Sequence, residues 1–309
     1  MTRAANRRRQ APGRRRLPPA PHLLLLLLLG ALVLSSCDRG PAEDPPEADP
    51  ADTTIDVDEP SGDQADVEGD DRDVTDAVAG NDVVDYVALG DSLATGAGAA
   101  TSYVEEFAEA LGDRTGADVA VTNFAVDGWT SQDLLDSLRD DDGVRAAVAE
   151  ADLVTLDIGG NDLLRQLPVY FSGNCGGDDD LQCLRDAADE FAQRWDHILD
   201  EVVDLRGGDP TGVLTLDLYQ PFPHDGRFGD DLDRLRPSLD AVNATIADAA
   251  AQRDVPVAQV FTAFHGPDGL DEPVDAGLIS VDGLHPSNDG HRLIAEELLA
   301  LDPVWANAG

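Results

Sequence analysis

Val84-Asp85-Tyr86-Val87-Ala88-Leu89-Gly90-Asp91-Ser92-Leu93 joins a short apolar run to a polar turn within ten residues. A run of that length, closed by glycine, reads as a strand buried in a sheet. Working outward, the same kind of segment recurs between stretches of helical spacing. Tyr103 to Leu111 reads as helix, with Phe107 and Leu111 four apart, and Val119 to Val126 as the second strand. Leu134 to Ala149 is expected to be helical with a break near Gly143, and Leu153 to Ile158 is a third strand stopped by Gly159-Gly160. A long amphipathic helix follows from Leu181 to Leu205, carrying Leu184, Phe191, Trp195, Ile198 and Val202 on or near one face. Val213 to Leu218 and Val255 to Val260 read as strands four and five, separated by a helix from Leu232 to Arg253. The last helix is expected from Asn288 to Leu301. Strands alternating with helices predict an α/β fold with a parallel sheet of about five strands covered on both faces. In such sheets ligands bind at the carboxyl ends of the strands.

Polar segments follow those ends. Gly90-Asp91-Ser92-Leu93 comes after strand one, Asn123-Phe124-Ala125-Val126-Asp127-Gly128 after strand two, and Gly159-Gly160-Asn161-Asp162 after strand three. Asp282-Gly283-Leu284-His285-Pro286 lies near the C-terminus. A serine hydroxyl is a poor nucleophile until a base accepts its proton, and imidazole titrates near neutral pH. Ser92 and His285 therefore read as nucleophile and general base. Asp282, three residues before His285, can accept the other ring N–H and fix the tautomer.

In order and spacing the segments resemble the four sequence blocks of the SGNH (GDSL) hydrolase family, over roughly Val83 to Leu301. The resemblance implies a three-layer α/β/α sandwich of flavodoxin-like topology and a serine hydrolase acting on carboxylic esters. It assigns the oxyanion hole to the Ser92 and Gly128 backbone N–H groups and the Asn161 side-chain amide. No metal and no cofactor is implied. The expected substrate is a small-molecule, lipid or glycan ester, with acyl transfer or thioester cleavage as variants of the same chemistry. A non-catalytic binding domain would have no need to keep all five residues.

Simpler roles exist for single residues. Ser92 could cap the following helix, and Asn161 could serve a turn. Asp91 and Asp162 are expected to hold loops, and His197 and His291 to be structural. Trp129 could wall the acyl pocket or pack on a neighbouring helix. The insertion from Leu163 to Cys183 should rim the cleft. Its Leu164, Leu167, Val169, Tyr170 and Phe171 could form an apolar lid or a local core.

The N-terminal part of the chain is an address. Seven arginines precede an apolar run from Leu23 to Leu34, too short to span a bilayer, which takes about 20 residues. The run ends in Leu34-Ser35-Ser36-Cys37, which resembles a bacterial lipobox and implies a signal peptide over 1–36 with lipid attached at Cys37. Residues 37–81, rich in Asp, Glu, Pro and Gly, cannot bury enough apolar surface to order themselves and read as an acidic linker. The catalytic domain then spans 82–309. With Cys37 assigned to lipid, Cys175 and Cys183 remain as a pair, expected to form a disulfide in an exported protein. The chain carries no lysine and a net charge of -41, which argues against nucleic-acid partners. These readings place a monomeric enzyme on the outer face of the cell membrane. Cys37→Ala is expected to shift the protein from the membrane fraction to the soluble fraction. A variant that stays membrane-bound after signal removal contradicts the anchor.

Overall fold

A computed structural model describes residues 83–224 and 228–302. The leader, Cys37 and the linker over 37–81 lie outside the described residues. The sheet holds β1 (Val83–Gly90), β2 (Asp118–Asn123), β3 (Leu153–Asp157), β4 (Val213–Leu216) and β5 (Val257–Ala258). Its strand order is β2-β1-β3-β4-β5, and every pairing is parallel. Alternation along β1 assigns the layers. Val87 and Leu89 face one cluster, while Val84, Tyr86 and Ala88 face another.

The first face is covered by α3 (Ser131–Asp140), α4 (Asp142–Glu150), α7 (Gln182–Leu205) and α8 (Gly229–Ala251). The second is covered by α2 (Tyr103–Thr115), α9 (Val260–His265) and α10 (Asn288–Ala300). Three short helices complete the described elements: α1 (Ser92–Thr95), α5 (Gly160–Leu164) and α6 (Leu167–Phe171). The α/β/α sandwich expected from the sequence is the observed fold.

The boundaries differ for local reasons. The break in the expected helix over 134–149 falls at Asp141, because its carboxylate caps α4 by accepting from Gly143 N at 2.8 Å. β5 is two residues long rather than six. Pro256 has no N–H to give the ladder, and Asp217 Oδ1 accepts from Phe261 N at 2.8 Å, so the chain turns into α9 directly. β2 is an edge strand with Val121 exposed, and it stops at Asn123. Pairing to β1 nevertheless continues past it, through Phe124 N to Ala88 O (2.9 Å) and Val126 N to Gly90 O (3.2 Å). That continuation brings Asp127 to α1, where its Oδ1 accepts from Thr95 Oγ1 at 2.5 Å.

The insertion divides the roles left open for it. Cys175 and Cys183 form the expected disulfide. Tyr170, Cys175 and Leu184 make a small separate core, with Phe171 packed against it, whereas Val169 is exposed. Tyr170 Oη donates to Asp231 Oδ1 at 2.6 Å and accepts from Arg234 Nη1 at 2.8 Å, tying α6 to α8.

Gly90 shows how tightly the strand ends are packed. A Cβ there would lie 2.0 Å from Asp157 Oδ1 and 2.5 Å from the Asp157 carbonyl oxygen. Overpacking in a filled core typically costs 1–3 kcal/mol, and here backbone itself is in the way. Gly90→Ala is expected to lower the unfolding free energy by at least that amount, which a lower urea midpoint would report, and to lose activity with it. A midpoint unchanged within error contradicts the packing argument.

Candidate active site

The turn after β1 begins with Asp91, not Ser92, in the capping role. Asp91 is the N-cap of α1, and its Oδ1 accepts from Leu93 N at 3.0 Å. The serine hydroxyl is thereby spared for other work. Ser92 Oγ lies 3.0 Å from His285 Nε2, and His285 Nδ1 lies 2.7 Å from Asp282 Oδ2. Ser92 and His285 are both buried; Asp282 is more open. The geometry therefore joins three residues that are up to 193 positions apart in the chain.

Asp282 is locked in place by its other oxygen. Oδ1 accepts from Leu284 N (2.9 Å), His285 N (3.0 Å) and Ser280 Oγ (2.7 Å). Burial works against ionisation of this carboxyl, but hydrogen bonds from the His285 ring, the two backbone amides and Ser280 outweigh it and hold the pKa at about 2. The histidine loop is braced from outside by Tyr219 Oη, which donates to the Leu284 carbonyl at 2.8 Å.

Gly128 has φ +78°, in the left-handed region that favours glycine, and a Cβ there would meet no protein atom within 4 Å. Glycine is needed for the turn, and the space beside it is open. Arg165 Nη2 donates to the Gly128 carbonyl at 2.7 Å, a contact invisible in the sequence because Arg165 carries no motif. Among the described residues neither Ser92 N nor Gly128 N donates to a protein acceptor. Asn161 differs. Its Nδ2 donates to Asp91 Oδ2 at 3.0 Å and to the Trp129 carbonyl at 2.9 Å, so both amide hydrogens have partners. Trp129 packs against the main core and does not line the pocket, which decides between its two expected roles in favour of packing.

Asp162 and His291 have the structural roles expected of them. Asp162 accepts from Ser131 N at 2.9 Å and Ser131 Oγ at 2.5 Å. His291 Nδ1 accepts from Tyr103 N at 3.1 Å, and burial pushes its pKa down to about 4. Below the serine lies a carboxyl that the sequence did not single out. Asp157 Oδ1 accepts from Asp91 N at 3.0 Å, and Oδ2 accepts from Tyr103 Oη at 2.6 Å. Its position at the end of a buried strand was the available signal. A pocket opens from Ser92 and His285 beneath α5 and α6 and reaches α8, with leucine the commonest residue in its walls.

The sequence model of the GDSL-like lipase/acylhydrolase family matches residues 88–293. The spore germination lipase LipC of Bacillus licheniformis is 24% identical over 220 residues, covering 70% of this chain and 94% of that protein. The uncharacterized protein YpmR of Bacillus subtilis is 28% identical over 217 residues, covering 68% and 78%. Among solved structures, the lipase Lip_vut3 from a goat rumen metagenome aligns with a TM-score of 0.60 at 24% identity, covering 71% of this chain and 98% of that one. An acetylxylan esterase from Geobacillus stearothermophilus aligns with a TM-score of 0.53 at 20% identity, covering 72% and 96%. At these identities the structural likeness speaks for the fold.

Asp91 offers a test of the site's electrostatics. Burial pushes its carboxyl up to about 6, despite the hydrogen bond from Leu93 and the charge of His285, which act the other way. Asp217 is also raised to about 6, again by burial. Both ionise near 3.8 ordinarily, so the folded state holds these protons more tightly and stability falls as pH rises between about 4 and 6. Asp282, with its lowered pKa, contributes fully above 3.8 and does not change in that window. Asp91 and Asp217 are therefore expected to give the melting temperature a component that rises from pH 7 toward pH 5, opposed by His291, whose lowered pKa favours the higher pH. Asp91→Asn should flatten that slope and, by setting an amide donor against Asn161 Nδ2, reduce kcat about tenfold. An unaltered slope with unaltered kcat contradicts both parts.

Proposed function

The chain belongs to the GDSL-like lipase/acylhydrolase family, and on that premise we propose that it cleaves carboxylic esters through an acyl-enzyme at Ser92. The observation that carries this reading is the unbroken hydrogen-bonded line from Ser92 Oγ through His285 to Asp282, at the mouth of an apolar pocket. His285 Nε2 accepts the hydroxyl proton as Ser92 Oγ bonds to the carbonyl carbon. Asp282, kept ionised, stabilises the imidazolium that results. The tetrahedral intermediate collapses as the ester C–O bond breaks, and His285 returns the proton to the leaving alcohol. Water then repeats the sequence: His285 takes its proton, the acyl–Oγ bond breaks, and the acid leaves with Ser92 restored. Only protons and an acyl group move, so the steps call for no metal and no cofactor.

The oxyanion is held by the free N–H groups of Ser92 and Gly128. Asn161 joins them by turning one amide hydrogen away from Asp91 or the Trp129 carbonyl as negative charge develops. Such a bond strengthens in the transition state and matters little in the ground state. In the cell, the protein is a monomer held by lipid at Cys37 on the outer face of the membrane, with residues 37–81 as its stalk. Lipid, short-chain or acetyl-sugar esters all fit the chemistry of the triad itself.

Ser92→Ala in the full-length protein is expected to abolish hydrolysis of p-nitrophenyl esters while the melting temperature holds. Turnover within tenfold of wild type removes Ser92 as nucleophile. Asn161→Ala should lose about 10²–10³ in kcat with KM nearly constant, the scale seen when one oxyanion donor is removed. A destabilised Asn161→Ala protein with full kcat per folded molecule would instead make Asn161 a loop clamp between Asp91 and Trp129.

A further inference from the structure

Resting on the esterase reading, we propose that the substrates are esters of medium-length aliphatic acids, whose hydrocarbon tail occupies the leucine pocket. The pocket starts at the nucleophile and runs beneath the insertion. Leu164 and Leu167 come from α5 and α6, Leu184 from α7, Leu218 from the segment after β4, and Leu232 and Leu235 from α8. An enclosure drawn from so many elements, and mainly apolar although Asp157, Asn161, Gln220, Arg236 and Ser238 also line it, favours an acyl chain longer than acetyl, which would fill only its mouth. A sugar ring placed against the six leucines would leave the hydroxyls facing them without partners, a cost of about 1–3 kcal/mol for each buried group. A hydrocarbon tail has nothing to satisfy and gains from every methylene buried.

Size sets the tail length. The cavity measures about 140 Å³. An apolar cavity of about 150 Å³ holds benzene, so roughly six carbons fit. Hexanoyl and octanoyl groups match that space, with the carbonyl at Ser92. The alcohol is then directed the other way. Val126, Asp127, Val281 and Gly283 are exposed and do not line the pocket, and the leaving oxygen must sit near His285 Nε2. Alcohols of many sizes are tolerated there, while the acyl chain is measured.

The walls are held in place by contacts outside the pocket. The disulfide fixes the segment leading into α7, next to Leu184, and the Tyr170 bonds to Asp231 and Arg234 join α6 to α8. A pocket braced in this way keeps its dimensions, which is what chain-length selection requires.

The test varies acyl and alcohol chains separately with full-length protein. Burying one methylene is worth about fourfold. For p-nitrophenyl esters, kcat/KM should rise at least tenfold from acetyl to hexanoyl or octanoyl and level off by dodecanoyl. Lengthening the alcohol of acetate esters should change it less than threefold. Leu235→Trp and, separately, Leu164→Trp should lower the octanoyl-to-acetyl ratio about tenfold or more by filling the pocket. The two variants guard against one that does not fold. Sodium octanoate, but not acetate, should raise the melting temperature of Ser92→Ala, which reads the pocket without turnover. Ester hydrolysis with no acyl preference, or a preference that follows the alcohol, overturns the proposal and leaves the esterase standing. No hydrolysis of any ester, with octanoate still stabilising Ser92→Ala, overturns the esterase and keeps a fatty-acyl pocket. No octanoate effect together with a flat chain-length profile removes the pocket.

Discussion

The carboxyl of Asp157, buried at the end of β3, is the contact around which the active end of the sheet is built. It accepts from the Asp91 backbone on one oxygen and from the Tyr103 hydroxyl on the other. Burial pushes its pKa well above the usual carboxylate range, with the neighbouring Asp91 carboxyl adding to the effect. No cation is paired with Asp157 among the described residues, so those bonds are what make its burial tolerable. They also fix the turn after β1, and Gly90 is glycine because this carboxyl fills the space of a side chain. From Asp91 the line continues to Asn161 and on to the Trp129 carbonyl. Strands one, two and three are thereby joined at the nucleophile through side chains as well as through the ladder.

Two aspartates within this small region are pulled in opposite directions. Asp282 receives several hydrogen bonds and keeps a partly open position, so its charge is stabilised and stays on beside His285. Asp91 is enclosed and has fewer donors, so desolvation dominates. The contrast separates their duties. One carboxylate lies against the His285 ring, and the other organises an amide and a helix cap. The strongly acidic composition does not explain either value; local burial and local donors do.

The insertion after β3 adds a layer that the sandwich itself does not need. Its small core of Tyr170, Cys175 and Leu184 anchors one end, and its leucines face the cavity beside Ser92. Lid and local core had been alternatives for this segment. The structure divides them between residues: Leu164 and Leu167 line the cavity, while Tyr170 and Phe171 pack in the local core.

The sequence by itself determined the alternation of strands and helices and the parallel sheet, and it singled out Ser92, His285 and Asp282, which the structure brings within hydrogen-bond distance of one another. Those features are local in origin. A buried strand must be an apolar run, a catalytic turn must carry its nucleophile, and an Asp three residues before a His can reach its ring through a short loop. Lengths were less legible where a tertiary contact ends an element, as the Asp217 bond to Phe261 N ends β5. What only the tertiary structure decided were relationships between distant residues. Asp91 rather than Ser92 caps α1, Asn161 spends both amide hydrogens on protein acceptors, and Trp129 packs into the core. Arg165 grips the Gly128 carbonyl, and Asp157 lies under the nucleophile. A side chain's free hydrogen-bonding capacity depends on every neighbour that surrounds it, and those neighbours come from chain segments 30 to 70 residues apart.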